Sequence, residues 1–269
     1  MKKKISITIE EKILRGIDHI IDGLIIRNRS QAIEHLINKI ITERKTAVVL
    51  ANGLVTRVTN KDSFRVLGKV KDESIIETII RKLRKYNFRD IYIVGEKNLN
   101  SEIFKILGNG SMFGVDIDYV DEKDAEGDHS RLKLLKGKLK NTFLVVPGET
   151  LFEMNLDDFF KFHITHGGLV TLALTSHINP AKTLGNVKLD GVKIVEFHEK
   201  PEKIKSHIVS SGIFIAEPEL LEYPGKWLPF DVYPQLIEKD LLFGFMFSGY
   251  WFDINSKKDF NDAKRFLEK

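Results

Sequence analysis

The sequence contains no cysteine, and that one absence removes disulfides, thiolate metal centres and cysteine nucleophiles together, so any metal must rest on oxygen or imidazole. Long apolar runs are missing as well. None approaches the roughly 18 residues that a membrane span needs, and Lys2, Lys3 and Lys4 lead into an alternating stretch rather than the apolar core of a secretory signal. No membrane partner is expected, and the cytoplasm is the expected address. Excess charge is also missing from most of the chain. Residues 1–45 hold ten Lys and Arg against six Asp and Glu, an excess equal to the whole-chain net charge of +4, which leaves the remainder near neutral. The positive charge belongs to the N-terminal piece, where a phosphate backbone would be attracted.

What is present falls into two patterns. In Lys4-Ile5-Ser6-Ile7-Thr8-Ile9 the apolar residues recur with period two, which predicts a strand burying Ile5, Ile7 and Ile9 and turning Lys4, Ser6 and Thr8 outward. Glu10 and Glu11 open a helical stretch carrying Ile13, Leu14, Ile17, Ile20, Ile21 and Leu24 at three- and four-residue spacing, with Gly23 marking its end. A second helix is expected after Asn28-Arg29-Ser30, with Ser30 as its N-cap and Ile33, Leu36, Ile37, Ile40 and Ile41 as its apolar stripe. So short a strand-helix-helix unit cannot bury this many isoleucines alone, and a lone strand has unpaired edges, so a second copy of the chain is expected to complete it.

This segment resembles the ribbon-helix-helix DNA-binding proteins, in which strands from two chains pair into a ribbon that enters the major groove. The resemblance implies a homodimer formed through the N-terminal strand, with double-stranded DNA as partner. Lys4, Ser6 and Thr8 would face base edges, and the backbone N–H groups near Asn28, Arg29 and Ser30 would hold phosphate. A dimerisation module that touches no DNA is the alternative.

Residues 46–269 alternate strand-like apolar runs with helical stretches, which predicts an α/β domain with a predominantly parallel sheet covered by helices. Ala47–Leu50, Ile91–Val94, Val115–Val120, Phe143–Val146 and Leu169–Leu174 are candidate strands; Ser74–Tyr86 and Ser101–Leu107 are candidate helices. The first strand runs into Ala51-Asn52-Gly53-Leu54-Val55-Thr56-Arg57, a small-residue turn of the kind that offers backbone N–H groups to phosphate.

Along its length this domain resembles the sugar-1-phosphate nucleotidyltransferases. Ala47 to Arg57 stands at their opening strand and glycine-rich loop, Ser74-Ile75-Ile76-Glu77 at the helix after their Pro-Lys segment, Gly148-Glu149 at their Gly-Asp, Phe197-His198-Glu199-Lys200-Pro201 at their Val-Glu-Lys-Pro, Ser211-Gly212-Ile213-Phe214 at their Ala-Gly-Ile-Tyr, and Gly249-Tyr250-Trp251-Phe252-Asp253 at their Gly-Tyr-Trp-x-Asp. The implied architecture is a Rossmann-like mixed-sheet nucleotidyltransferase domain over 46–269, preceded by a small dimeric ribbon-helix-helix (β-α-α) domain over 1–45.

The resemblance also implies roles. Asn52 and Gly53 would cradle a triphosphate, with Arg57 neutralising charge on the leaving pyrophosphate and Arg65 keeping the catalytic cation of the Pro-Lys segment; Glu149 and Asp253 would hold Mg²⁺, a hard cation that prefers carboxylate oxygen. Glu199 would accept from sugar hydroxyls, Lys200 would meet the sugar phosphate, and Gly127, Gly185 and Gly212 would allow close approach of base and sugar. Several positions depart from the family pattern. Asn52 and Val55 replace loop glycines, Phe64-Arg65-Val66 replaces Pro-Lys, Glu149 replaces the metal aspartate, and Glu126-Gly127-Asp128-His129-Ser130 replaces a Leu-Gly-Thr-Ala-Gly wall, so that Asp128, His129 and Arg131 bring charge to it. Because the departures gather on the nucleotide side, the favoured expectation is a DNA-binding transcription regulator whose transferase-like domain senses a nucleotide, sugar phosphate or nucleotide sugar. The alternative is an active, divergent sugar-1-phosphate nucleotidyltransferase with a DNA-binding or dimerisation extension.

Overall fold

The computed structural model describes residues 6–23, 26–42, 44–51, 55–56, 63–177, 184–203 and 206–268. It divides into two compact units, 1–44 and 45–269.

In the first unit, α1 (Glu11–Asp18) and α2 (Arg29–Thr42) enclose a small core of Ile17, Ile26 and Ala32, with Ile9, Ile20, Ile21, Ile33 and Leu36 packed beside it. Three expectations are corrected here. Residues 6–10 form no strand, and Ile7 is 54% exposed rather than inward, because the ladder partner that a lone strand needs is not supplied within one chain. The first helix ends at Asp18, ahead of Gly23, and Ile13 on its stripe is 56% exposed. The second helix begins two residues earlier than expected, capped by Asn28 instead of Ser30; Asn28 Oδ1 accepts from the Gln31 backbone N–H at 3.0 Å. Lys4 and Ile5 lie outside the described residues, as does Leu24.

The second unit starts with β1 (Lys45–Leu50), a fully apolar run across Ala47, Val48 and Val49 that is buried on both faces. Two short antiparallel ladders follow, β2 (Val55–Thr56) with β3 (Ser63–Phe64) and β4 (Lys69–Val70) with β5 (Glu73–Ser74). Val55, where the resemblance has a glycine, thus lies in an extended ladder that suits a β-branched residue. Next come α3 (Ile75–Lys85), β6 (Phe88–Gly95), α4 (Lys97–Leu107), β7 (Asp116–Asp121), α5 (Asp128–Lys133), β8 (Phe143–Pro147), β9 (Thr150–Phe152), α6 (Leu156–His166) and β10 (Val170–Ser176). The chain finishes with β11 (Asn186–Asp190), β12 (Lys193–His198), β13 (Ile208–Ala216), α7 (Tyr233–Glu238), β14 (Leu242–Met246), β15 (Trp251–Asp253) and α8 (Lys257–Leu267). Helix α3 has a capping box: Ser74 Oγ accepts from the Glu77 N–H while the Glu77 carboxylate accepts from the Ser74 N–H at 2.8 Å.

Nine strands form one sheet in the order β10-β14-β12-β11-β13-β8-β1-β6-β7. Only its β8-β1-β6-β7 side is a continuous parallel block; β13 joins β8 antiparallel, and β11 and β12 continue in that sense. The sheet is therefore mixed in equal measure rather than predominantly parallel. One apolar core gathers α3, α4, α6 and α8 around one face, and a second gathers α5 and α7 around the other.

Candidate active site

The parallel block delivers its strand ends to one edge. β1 ends at Leu50 and β8 at Pro147, directly paired, and the Gly148 N–H donates to the Leu50 carbonyl at 2.9 Å. Carboxyl ends of adjacent parallel strands are where open α/β sheets bind ligands. A cavity of about 290 Å³ opens there, and Arg65, Glu149, Gly185, Glu199, Gly212 and Asp253, six residues singled out in the sequence, all line it. Asp128, Arg131, Phe197, Tyr233, Trp251 and Asn255 also belong to its wall. A larger groove of about 840 Å³ runs past Glu153, Asn155, Asp158, His177 and Met246, and shares only Trp251 with the smaller one.

Each convergent residue is placed by local backbone. Glu149 follows β8, and Asp253 ends β15, whose ladder with β9 sets Asp253 opposite Thr150 and lets the Ile254 N–H donate to the Glu149 carbonyl at 3.0 Å. Glu149 is buried, and burial raises the Asp253 carboxyl pKa, although an Asn255 hydrogen bond and the Arg65 and Lys200 charges pull the other way. Arg65 donates to Asn255 Oδ1 at 3.1 Å, and the Asn255 amide also contacts Asp253. Gly212 has φ +76, and a Cβ there would stand 3.0 Å from the Pro147 ring. A Cβ on Gly185 would meet the Phe197 ring at 2.6 Å and Glu199 Oε2 at 3.1 Å, so glycine lets β11 pass the Glu199 carboxylate. Burial raises the Glu199 pKa too; Lys200 opposes this, while Asp128 and Asp253 add to it. Lys200, at φ +46 in the turn after β12, does not line the cavity itself.

Some expectations are relocated. Gly127 also misses the cavity wall: at φ +90 it starts α5, and a Cβ there would collide with the Lys226 carbonyl at 2.4 Å, so its smallness serves the seam between α5 and residues 225–228. His129 is fully buried with Nδ1 3.1 Å from the Gly225 carbonyl and Nε2 3.0 Å from the Leu220 carbonyl; burial lowers its pKa, those two carbonyls oppose the shift, and the ring does not line the cavity. Arg131 does reach the cavity, yet its guanidinium is held by Glu122 at 2.6 Å and by the Ala51 and Val94 carbonyls. Asn52, Gly53 and Arg57 lie outside the described residues. In the N-terminal unit Ser6, Thr8, Asn28, Arg29 and Ser30 are exposed, and Arg29 forks onto Asp18 at 2.7 and 2.9 Å. Phe197 and Trp251 stand in the matched motifs without an assigned role, and Tyr233 is not singled out by the sequence, since an aromatic at its spacing looks like ordinary core.

Among the described residues no group of three or more His, Cys, Asp or Glu side chains could hold a metal ion. The two carboxylates Glu149 and Asp253 nevertheless suit Mg²⁺, which keeps several waters and is commonly bound through one or two carboxylates plus substrate phosphates. No helix among the described residues is long and apolar enough to cross a membrane.

Residues 46–269 match the family model described as nucleotidyl transferase. Mannose-1-phosphate guanyltransferase of Pichia angusta is 31% identical over 156 residues, spanning 55% of this chain and 43% of the relative. UTP–glucose-1-phosphate uridylyltransferase of Synechocystis is 26% identical over 244 residues, spanning 81% of this chain and 62% of the relative. The chain thus spans about half the length of the curated relatives it matches. A Bacillus anthracis structure, provisionally assigned as a glucose-1-phosphate thymidylyltransferase and solved with sucrose, shares the fold at TM-score 0.75 and 22% identity, over 84% of this chain and 96% of that one. Over residues 46–269, the chain belongs to the nucleotidyl transferase family.

Proposed function

We propose that residues 45–269 form an active sugar-1-phosphate nucleotidyltransferase. A phosphate oxygen of the sugar 1-phosphate attacks the α-phosphorus of a nucleoside triphosphate; the bond from that phosphorus to the bridging oxygen breaks, releasing pyrophosphate and a nucleoside-diphosphate sugar. The attacking oxygen is already anionic, so the protein's work is positioning and charge neutralisation rather than proton removal. The observation that carries this reading is the convergence of Arg65, Glu149, Gly185, Glu199, Gly212 and Asp253 on one cavity at the paired ends of β1 and β8. Arg65 offers a fixed positive charge to phosphate, Glu199 accepts from sugar hydroxyls, and Lys200 supplies a cation next to Glu199. Mg²⁺, when bound by Glu149 and Asp253, would neutralise phosphate charge as it develops.

Transfer is preferred to ligand sensing because similar curated proteins carry transferase names and both metal-type carboxylates reach the cavity. The test is pyrophosphate release from a panel of nucleoside triphosphates and sugar 1-phosphates with Mg²⁺. Release should require both substrates and fall by about 10²-fold or more in Asp253→Ala. Release that is indifferent to Asp253→Ala would refute the assignment, and tight binding of the same ligands without release would restore the sensor.

For residues 1–44 we propose a ribbon-helix-helix unit that pairs with a second copy and reads DNA. Its separate core, the exposure of Ile7 and the outward Ser6 and Thr8 support this. The Arg29 guanidinium, now on Asp18, would exchange that carboxylate for DNA phosphate. Selection of genomic fragments followed by anisotropy titration should yield a duplex bound about 10³-fold more tightly than random DNA at one salt concentration. Equal affinity for every duplex would reduce this unit to a dimerisation element.

A further inference from the structure

One wall of the cavity gathers hydrogen-bond acceptors. Asp128 Oδ1 accepts backbone N–H groups from His129 at 2.8 Å and Leu228 at 2.7 Å, which fixes the carboxylate against the start of α5. No salt bridge reaches it among the described residues: the neighbouring His129 ring turns its nitrogens to the Gly225 and Leu220 carbonyls, and Arg131 is committed to Glu122. Glu199 shares this cavity; it forms no salt bridge among the described residues, and the Lys200 charge next to it only partly offsets its burial. Tyr233 completes the group. Only 5% exposed, it sets its ring edge-on to Phe197 with centroids 5.0 Å apart, lines the cavity, and its hydroxyl has no hydrogen-bond partner among the described residues.

The wall therefore offers two carboxylates and a phenol oxygen, all able to accept, while the nearest cation, Lys200 beside Glu199, lies off the cavity. Buried carboxylates without a counter-charge are costly, and the complement to several convergent acceptors is a compact cation with three N–H donors. Sugar hydroxyls would each give one hydrogen bond and leave the Asp128 charge unanswered. Nucleobases are neutral near pH 7, so the nucleotide does not supply the cation.

We propose that the second substrate is a sugar 1-phosphate carrying a free, protonated amine, received by Asp128, Glu199 and Tyr233. This rests on the transferase reading above, and it makes Asp128 and Tyr233 specificity-determining residues.

The test uses the full chain and compares glucosamine 1-phosphate with glucose 1-phosphate by titration calorimetry and by pyrophosphate release. The amino sugar should bind at least about tenfold more tightly, a margin of about 1.4 kcal/mol. Asp128→Asn keeps the Oδ1 acceptor for Leu228 and His129 but removes the charge, and should bring the two affinities to parity; Tyr233→Phe should narrow the gap. Equal affinities in the wild type, or a preference that survives Asp128→Asn, would overturn the inference. Equal pyrophosphate release from the two sugars would defeat the amine assignment and leave the transferase standing, whereas no binding of any sugar phosphate or triphosphate would defeat both.

Discussion

Asp253, proposed above as a metal carboxylate, sits where burial works against its own charge. Its folded pKa is raised above the ordinary 3.8, chiefly by burial. The folded state therefore holds the proton more tightly than the unfolded chain, and stability falls as pH rises from the ordinary value through the raised one. Above that window the buried charge is a net cost. Asp253→Asn is accordingly expected to raise Tm at neutral pH by about 2–4 °C, equivalent to roughly 1 kcal/mol in a domain of this size, while removing pyrophosphate release; a lower Tm would show that the carboxylate's contacts outweigh its burial. In the same way, the acid limb of the activity profile should lie above that of a solvated carboxylate, since Asp253 and Glu199 must lose protons that burial helps them keep. Glu149, Glu199, Gly212 and Asp253 were legible in the sequence because each sits in a short motif whose spacing survives. Tyr233 and the fate of His129 were not, because what decides them is which distant carbonyl or ring lies opposite, and spacing along the chain is silent on that.

Among the elements, α3 was the most readable. Ser74 and Glu77 are three residues apart ahead of an apolar stripe, and both halves of the capping box form. Ser74→Ala should cost about 1–2 kcal/mol by urea denaturation, since the hydroxyl is fully buried as well as capping; a change within error would mean the Glu77 half suffices. The interior strands were equally plain from their apolar runs. The mixed sheet was not, since strand direction across β13 and β8 is fixed by pairing between residues some 70 apart rather than by any local pattern. The N-terminal alternation is limited for a related reason: a period of two states which face would be buried but not which chain supplies the partner strand. At α5, Gly127→Ala brings a Cβ against the Lys226 carbonyl in a backbone region, φ +90, that suits only glycine. It should destabilise by roughly 2–4 kcal/mol and, by loosening the seam that carries Asp128, raise KM for the sugar phosphate more than it lowers kcat. An unchanged KM would detach the seam from the cavity.

For the whole molecule, the two units have separate cores, and residues 45–269 are expected to unfold cooperatively when prepared alone, with pyrophosphate release retained. Acid should act on the large unit through His163, which is buried, bonded to Thr171 at 2.7 Å and Glu217 at 3.1 Å, and held by burial below the ordinary 6.5. The unfolded chain then binds more protons below that value, so this part of the stability is lost as pH falls. Wild type should lose more Tm between about pH 7.5 and about pH 5.5 than His163→Gln does; equal losses would assign the acid sensitivity elsewhere. The chain contains only two tryptophans. Trp251 is part of the cavity wall, and Trp227 precedes Leu228, the residue whose N–H holds Asp128. Indole emission from this protein therefore originates at or beside the cavity, and a ligand settling there should change its intensity or colour, giving an optical titration that needs no label.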